Sequence, residues 1–132
     1  MFYPERMINW SSVAAVMMAL AVGLGAFGAH GLRDRLDAYS LGIYEKAVFY
    51  HFVHALGMLI VSVLARVGAL TETAAGRVDW LLFVGILVFS GSLYLLAVTG
   101  IRTLGAITPV GGIAFIAAWL LLAFSVSRPG RS

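Results

Sequence analysis

Cysteine is absent from the 132 residues. Disulfides, thiolate metal sites and cysteine nucleophiles are thereby excluded. Charge is scarce as well: 11% of the residues are Asp, Glu, Lys or Arg, where an ordinary soluble domain has about a quarter. The formal net charge is +3 and the pI about 9.7. That basicity is no nucleic-acid patch, because the charged residues sit between long apolar runs and leave the runs themselves nearly empty. A soluble enzyme and a nucleic-acid binder both fall away on these grounds.

What fills the chain is apolar: 61% of the residues are hydrophobic and the mean hydropathy is +0.97. Four segments emerge, over about residues 8–29, 47–65, 78–99 and 104–126. Each comes close to the roughly 20 residues that a helix needs to cross a 30 Å hydrocarbon core. Only helices and closed barrels satisfy their backbone in lipid, and long runs without alternation indicate helices. The reading is an all-α, integral membrane four-helix bundle in which residues 1–132 form one membrane domain. The first segment is longer and richer in glycine than a secretory signal, so it is read as a retained helix.

The end of the first run, Gly23-Leu24-Gly25-Ala26-Phe27-Gly28-Ala29-His30-Gly31, holds most of its glycine. Gly23, Gly25 and Gly28 spell the G-x-G-x-x-G string of dinucleotide-binding folds, which requires a strand before it and a helix after it. Here the glycines lie inside one helical run, so the nucleotide reading is rejected. Ala15, Ala19 and Gly23 are four apart, and so are Ala21, Gly25 and Ala29. Small residues at that spacing form flat stripes on which another helix approaches closely in lipid. Ser90, Gly91 and Ser92 in the third run, and Pro109, Gly111 and Gly112 early in the fourth, are expected to serve helix packing in the same way. Proline in a first helical turn is tolerated, since its missing N–H has no partner there.

Between the first two spans, Leu32, Leu36, Tyr39 and Ile43 recur at helical spacing among Arg33, Asp34, Arg35 and Asp37. This predicts a short amphipathic segment at the headgroup level. Arg66-Val67-Gly68 is a helix-stop signal after the second span. Asp79-Trp80 is expected to open the third, with the carboxylate at a helix N-terminus and the indole at the interface. On this reading every Asp and Glu lies at a helix end or in a connection. Arg6, Arg66, Arg77, Arg128 and Arg131 fall on one side, and Arg33, Arg35, Lys46 and Arg102 on the other. That margin leans only slightly towards cytoplasmic termini.

Four stretches occur in order: Gly25-Ala26-Phe27-Gly28-Ala29-His30, Tyr50 with His54-Ala55-Leu56, Phe89-Ser90-Gly91-Ser92-Leu93-Tyr94, and Thr108-Pro109-Val110-Gly111-Gly112. Together they resemble domain-of-unknown-function family 423, small bacterial inner-membrane proteins whose eukaryotic relatives are called transmembrane protein 256. The resemblance implies a multi-pass four-helix protein of the bacterial inner membrane with no established activity. The family pattern places glutamine three residues before His54, where this chain has His51.

Ionisable groups within spans raise a functional question by default. His51 and His54 share one face of the second span, and His30 at the end of the first is expected at a similar depth. Three such imidazoles could hold a metal, and His30 with His54 is the one intrachain pair suited to haem. The favoured reading is plainer: neutral histidines bonded to Tyr50, Tyr44 or backbone carbonyls, with no cofactor and no metal. No serine–histidine–acid set suggests an enzyme. The leading expectation is therefore a structural or accessory bundle, in contact with lipid, that self-associates or docks on a larger membrane complex. The alternatives are a small transporter or channel that moves protons through His51 or His54, and a haem, quinone or metal carrier using His30, His51 and His54.

Overall fold

The computed structural model describes residues 8–126. Asn9 starts the first helix, α1 (Trp10–Phe27), by accepting the Ser12 N–H at 3.1 Å with its side chain. A π-helical turn, Gly28–Leu32, continues it, so that the first span runs from Trp10 to Leu32. α2 (Ala38–Arg66) is capped by Asp37, whose carboxylate accepts the Ser40 N–H at 2.8 Å. α3 (Glu72–Gly85) is capped by Thr71. It passes through a π turn (Ile86–Ser90) into α4 (Gly91–Thr99), and together these make the third span. A 3₁₀ turn (Arg102–Ala106) leads into α5 (Thr108–Val126), the fourth. Among the described residues, four helices are thus long and apolar enough to cross a membrane.

Two glycines close helices in the left-handed region, where a side chain would be strained. Gly68 has φ +85° just after α2, and Gly100 has φ +73° after α4, with its N–H on the Leu96 carbonyl at 2.8 Å. They lie at two of the three connections where the chain direction reverses.

α2 packs against α1 on one side and against α3 and α4 on another, while α5 packs chiefly against α3 and its π turn. The second and third spans are therefore the inner pair, and α1 and α5 leave most of their surface to lipid. Met58, Val61, Val78 and Leu82 are fully buried in the centre, with Ala14, Ala55 and Ala118 supplying the close approaches. At one end Trp10, Trp80 and Phe83 meet edge to face, the Trp10–Trp80 centroids 5.1 Å apart. That cluster suits an interfacial aromatic belt.

Three expectations need correction. The amphipathic stretch before the second span is not a separate element: residues from Ala38 onward are the first turns of α2, and only residues 33–37 form the turn. Its apolar side packs inward, Leu32 against Tyr44 with Leu36 and Ile43 beside them, while Tyr39 alone is exposed. Asp79 does not open the third span. The helix begins at Glu72, two turns earlier, which puts Asp79 inside the bundle with no exposed surface. The third concerns His30 and is given with the site below.

The glycines and serines expected to pack helices divide by position. A Cβ at Gly28 would enter the Tyr44 ring, and one at Gly25 would touch Val48 at 3.4 Å. One at Gly111 would run into the backbone of Phe89, and one at Gly112 would meet the Phe89 ring at 3.8 Å. Ser90 donates to the Ala47 carbonyl across to α2 at 2.8 Å, and Ser92 shares a 2.6 Å bond with Thr108 on α5. Gly23 and Gly91 face open space, and Pro109 is exposed.

The Asp37 cap carries a testable pH dependence. The Ser40 backbone N–H, and then its hydroxyl, hold the Asp37 carboxyl below its ordinary range. A group depressed in the folded state stabilises above its unfolded value, near pH 4, and loses that contribution as pH falls through the folded one. The difference in thermal midpoint between wild type and Asp37→Ala is therefore expected to be constant from neutral pH down to about 5 and to shrink below about 4. A difference that held constant into strong acid would contradict this.

Candidate functional site

Three helix ends enclose a polar cleft of about 320 Å³. Residues 8–11 of the α1 start form one wall; Ser62, Ala65 and Arg66 on the last turns of α2 form the second. Glu72, Ala75, Gly76 and Asp79, all on one face of α3, form the third. The i, i+3 and i, i+4 spacing along α2 and α3 is what brings each set to one face. Small residues, Ala65, Ala75 and Gly76, leave the space; polar ones line it.

Asp79 sits at the floor. Its Oδ2 lies 3.3 Å from the Ser62 hydroxyl, but that hydroxyl also donates to the Met58 carbonyl at 3.1 Å, so its single proton is divided. Its Oδ1 is buried and makes no hydrogen bond. Buried carboxyl oxygens are nearly always satisfied, and a carboxylate has four acceptor sites to fill. Among the described residues, Asp79 Oδ1 and His51 Nε2 are the buried side-chain polar atoms without a hydrogen-bond partner. Arg66 and Glu72 stand at the rim, exposed, and neither pairs with Asp79.

The histidines do not converge. α1 and α2 are in a register that sets Gly28 beside Tyr44 and Gly25 beside Val48. His30 is therefore level with the first turns of α2, and His54 lies about eleven residues further along, roughly 16 Å at 1.5 Å per residue. The expected shared depth fails because α2 starts at Ala38, not Ala47, and its first turns take up the level of His30. His30 is exposed, so it cannot form a bis-histidine haem pair with His54 in this arrangement. Among the described residues no group of three His, Cys, Asp or Glu side chains could hold a metal ion.

His51 and His54 serve different neighbours. His51 Nδ1 bonds the Tyr94 hydroxyl on α4 at 2.8 Å, and the backbone of Met17 on α1 comes close to the ring. Its Nε2 is enclosed without a hydrogen bond. His54 Nδ1–H donates to the Tyr50 carbonyl one turn back at 2.8 Å. The His54 ring stacks on Phe115 of α5, centroids 3.5 Å apart and planes 11° from parallel. Tyr44 donates its hydroxyl proton to the Leu24 carbonyl on α1, and its ring meets that of Tyr94 at a tilt of 58°. These side chains link α2 to three neighbouring helices.

The site that emerges from the structure was missed by the sequence because Asp79 was placed at a helix end. A signal was present: Thr71 followed by Glu72 is an N-cap with an acidic first turn, and it starts the helix early enough to carry Asp79 inside.

Comparison with known proteins agrees on what kind of molecule this is. A family model described as a protein of unknown function, DUF423, matches residues 24–112. A UPF0382 membrane protein of Staphylococcus haemolyticus is 49% identical over 116 residues, covering 88% of this chain and 93% of its own. The UPF0382 membrane protein YwdK of Bacillus subtilis is 50% identical over 112 residues, covering 83% and 89%. No solved structure matches the chain. With four apolar spans, their polar links and this likeness over most of its length, the chain belongs to the DUF423 family of membrane proteins of unknown function.

Proposed function

We propose that the chain is a non-enzymatic accessory bundle that associates with a second copy of itself in the bilayer through the outer face of α1. The observation that carries this is the direction of the two small-residue stripes. In the second stripe Ala21 is buried and Gly25 is half-buried against α2, while Ala29 at its end is exposed. Ala15, Ala19 and Gly23 are exposed, and a Cβ at Gly23 would meet nothing within 4 Å. A flat small-residue face on lipid allows close backbone approach by another helix, and van der Waals packing is what drives association there. The use of the intramembrane hydroxyls and imidazoles supports the non-enzymatic part. Ser90, Ser92, Tyr44 and His51 are engaged in bonds between helices.

The cysteine-free background makes the test direct. Ala19→Cys in native membranes is expected to give an oxidant-induced disulfide dimer, and Ile116→Cys, on the lipid face of α5, is expected to give little. Ala15→Leu combined with Ala19→Leu should convert the purified protein to a monomer in mild detergent. Equal crosslinking at positions 19 and 116, or none at position 19, would count against the reading.

A further inference from the structure

We propose that the cleft at the ends of α1, α2 and α3 binds a phosphoethanolamine group, its ammonium at Asp79 and its phosphate at Arg66. The argument does not depend on the self-association above: the cleft takes only residues 8–11 at the start of α1, whereas Ala15, Ala19 and Gly23 lie further along the helix.

Asp79 is the starting point. It is fully buried, its Oδ1 has no partner, and it lines the cleft. A carboxylate oxygen accepts, so the group that completes it is a hydrogen-bond donor, and the cleft that Asp79 lines is the route open to it. A primary ammonium supplies three N–H donors and a compensating charge. Bulk water is kept from the floor, so the attraction there is screened little.

The rim decides what the ammonium is attached to. A bare cation or simple amine would face Arg66 across the same cleft with like charge. A zwitterion turns that conflict into a fit, with its anion at Arg66 and its cation at the floor. Asn9, Ser11 and Ser62 add short polar groups to the lining, and the exposed Glu72 offers a second carboxylate. The volume, about 320 Å³, falls at the lower end of the range for small-ligand sites. Trp10 lines the cleft and packs on Trp80, which places the opening where headgroups lie. A trimethylated headgroup has no N–H to give and is bulkier, so the site should reject it.

Phosphoethanolamine could arrive on a phospholipid or as a free molecule, and one experiment separates these sources. The full chain in detergent is mixed in turn with phosphatidylethanolamine, phosphatidylcholine and phosphatidylglycerol of matched acyl chains, and retained lipid is counted by native mass spectrometry. Retention of phosphatidylethanolamine is expected to exceed that of the other two about tenfold, the worth of one charge-assisted hydrogen bond. Asp79→Asn should abolish that preference, and Arg66→Gln should lower retention of all three lipids, because the phosphate is common to them. Competition by soluble phosphoethanolamine would assign the free molecule as ligand; retention unaffected by it would assign the lipid. Equal retention of all three lipids by the wild-type protein, with no binding of soluble phosphoethanolamine, overturns the proposal. That comparison needs no variant, so misfolding cannot obscure it. If Asp79→Asn, shown folded by circular dichroism, kept the full preference, the assignment of the ammonium to Asp79 would also fall.

Discussion

Gly111→Leu is expected to destabilise the bundle by about 3 kcal/mol, at the upper end for overpacking. A Cβ at this position would lie 2.8 Å from both Cα and Cβ of Phe89 and closer still to its nitrogen. Side-chain atoms can rotate away from such an intrusion, but the backbone of the π turn cannot. α5 would have to move off the third span as a body. Thr108 stands one turn earlier on α5, so that shift would also pull on its 2.6 Å bond to Ser92. Gly112→Leu, whose new side chain starts 3.8 Å from a rotatable ring, is the matched control and should cost less than about 1 kcal/mol. Gly23→Ala should be neutral or stabilising, since it meets open space and alanine is the better helix former. Unfolding of each purified variant by detergent titration, followed by circular dichroism, checks the series. A wild-type midpoint for Gly111→Leu would show that α5 does not seat on Phe89 as described.

The second large effect belongs to Phe115. Its ring is buried among His54, Phe89 and Tyr50, with centroids 3.5, 5.4 and 6.4 Å away, and it fills the space over Gly85. In a soluble core Phe→Ala costs about 3–5 kcal/mol. In a bilayer the separated helix still meets apolar surroundings, so the transfer part of that cost is small and the lost packing remains. About 2–3 kcal/mol is therefore expected for Phe115→Ala. Gly85→Leu alone should also destabilise, because a Cβ there collides with the Phe115 ring. Combined, the two changes refill one space from the opposite helix, and the double variant should be more stable than the sum of the single effects allows. Additive losses would mean that Gly85 and Phe115 do not face one another.

Much of the architecture was legible along the chain. Length and hydropathy determined four helical crossings, because a bilayer admits only segments that satisfy their own backbone over about 20 residues. Gly68 marked the end of the second helix, because few other residues adopt the left-handed backbone that closes a helix. A turn residue acts through its own conformation, so its meaning is local.

What escaped the sequence depends on register between elements distant along the chain. Periodicity showed two small-residue stripes on α1, yet only the packing of α2 decided that Gly25 and Gly28 face a helix and Gly23 faces lipid. The depth of His30 relative to His54 turned on where α2 begins, which Asp37 decides by capping it at Ala38. Asp79 read as a boundary charge among Glu72, Thr73 and Arg77, and became the floor of a cleft once three helix ends met around it. Composition and local backbone preference determined which segments cross. The tertiary structure alone decided which polar groups share a depth and which carboxyl is left without a partner, because a side chain's neighbours are set by how helices slide and rotate against one another.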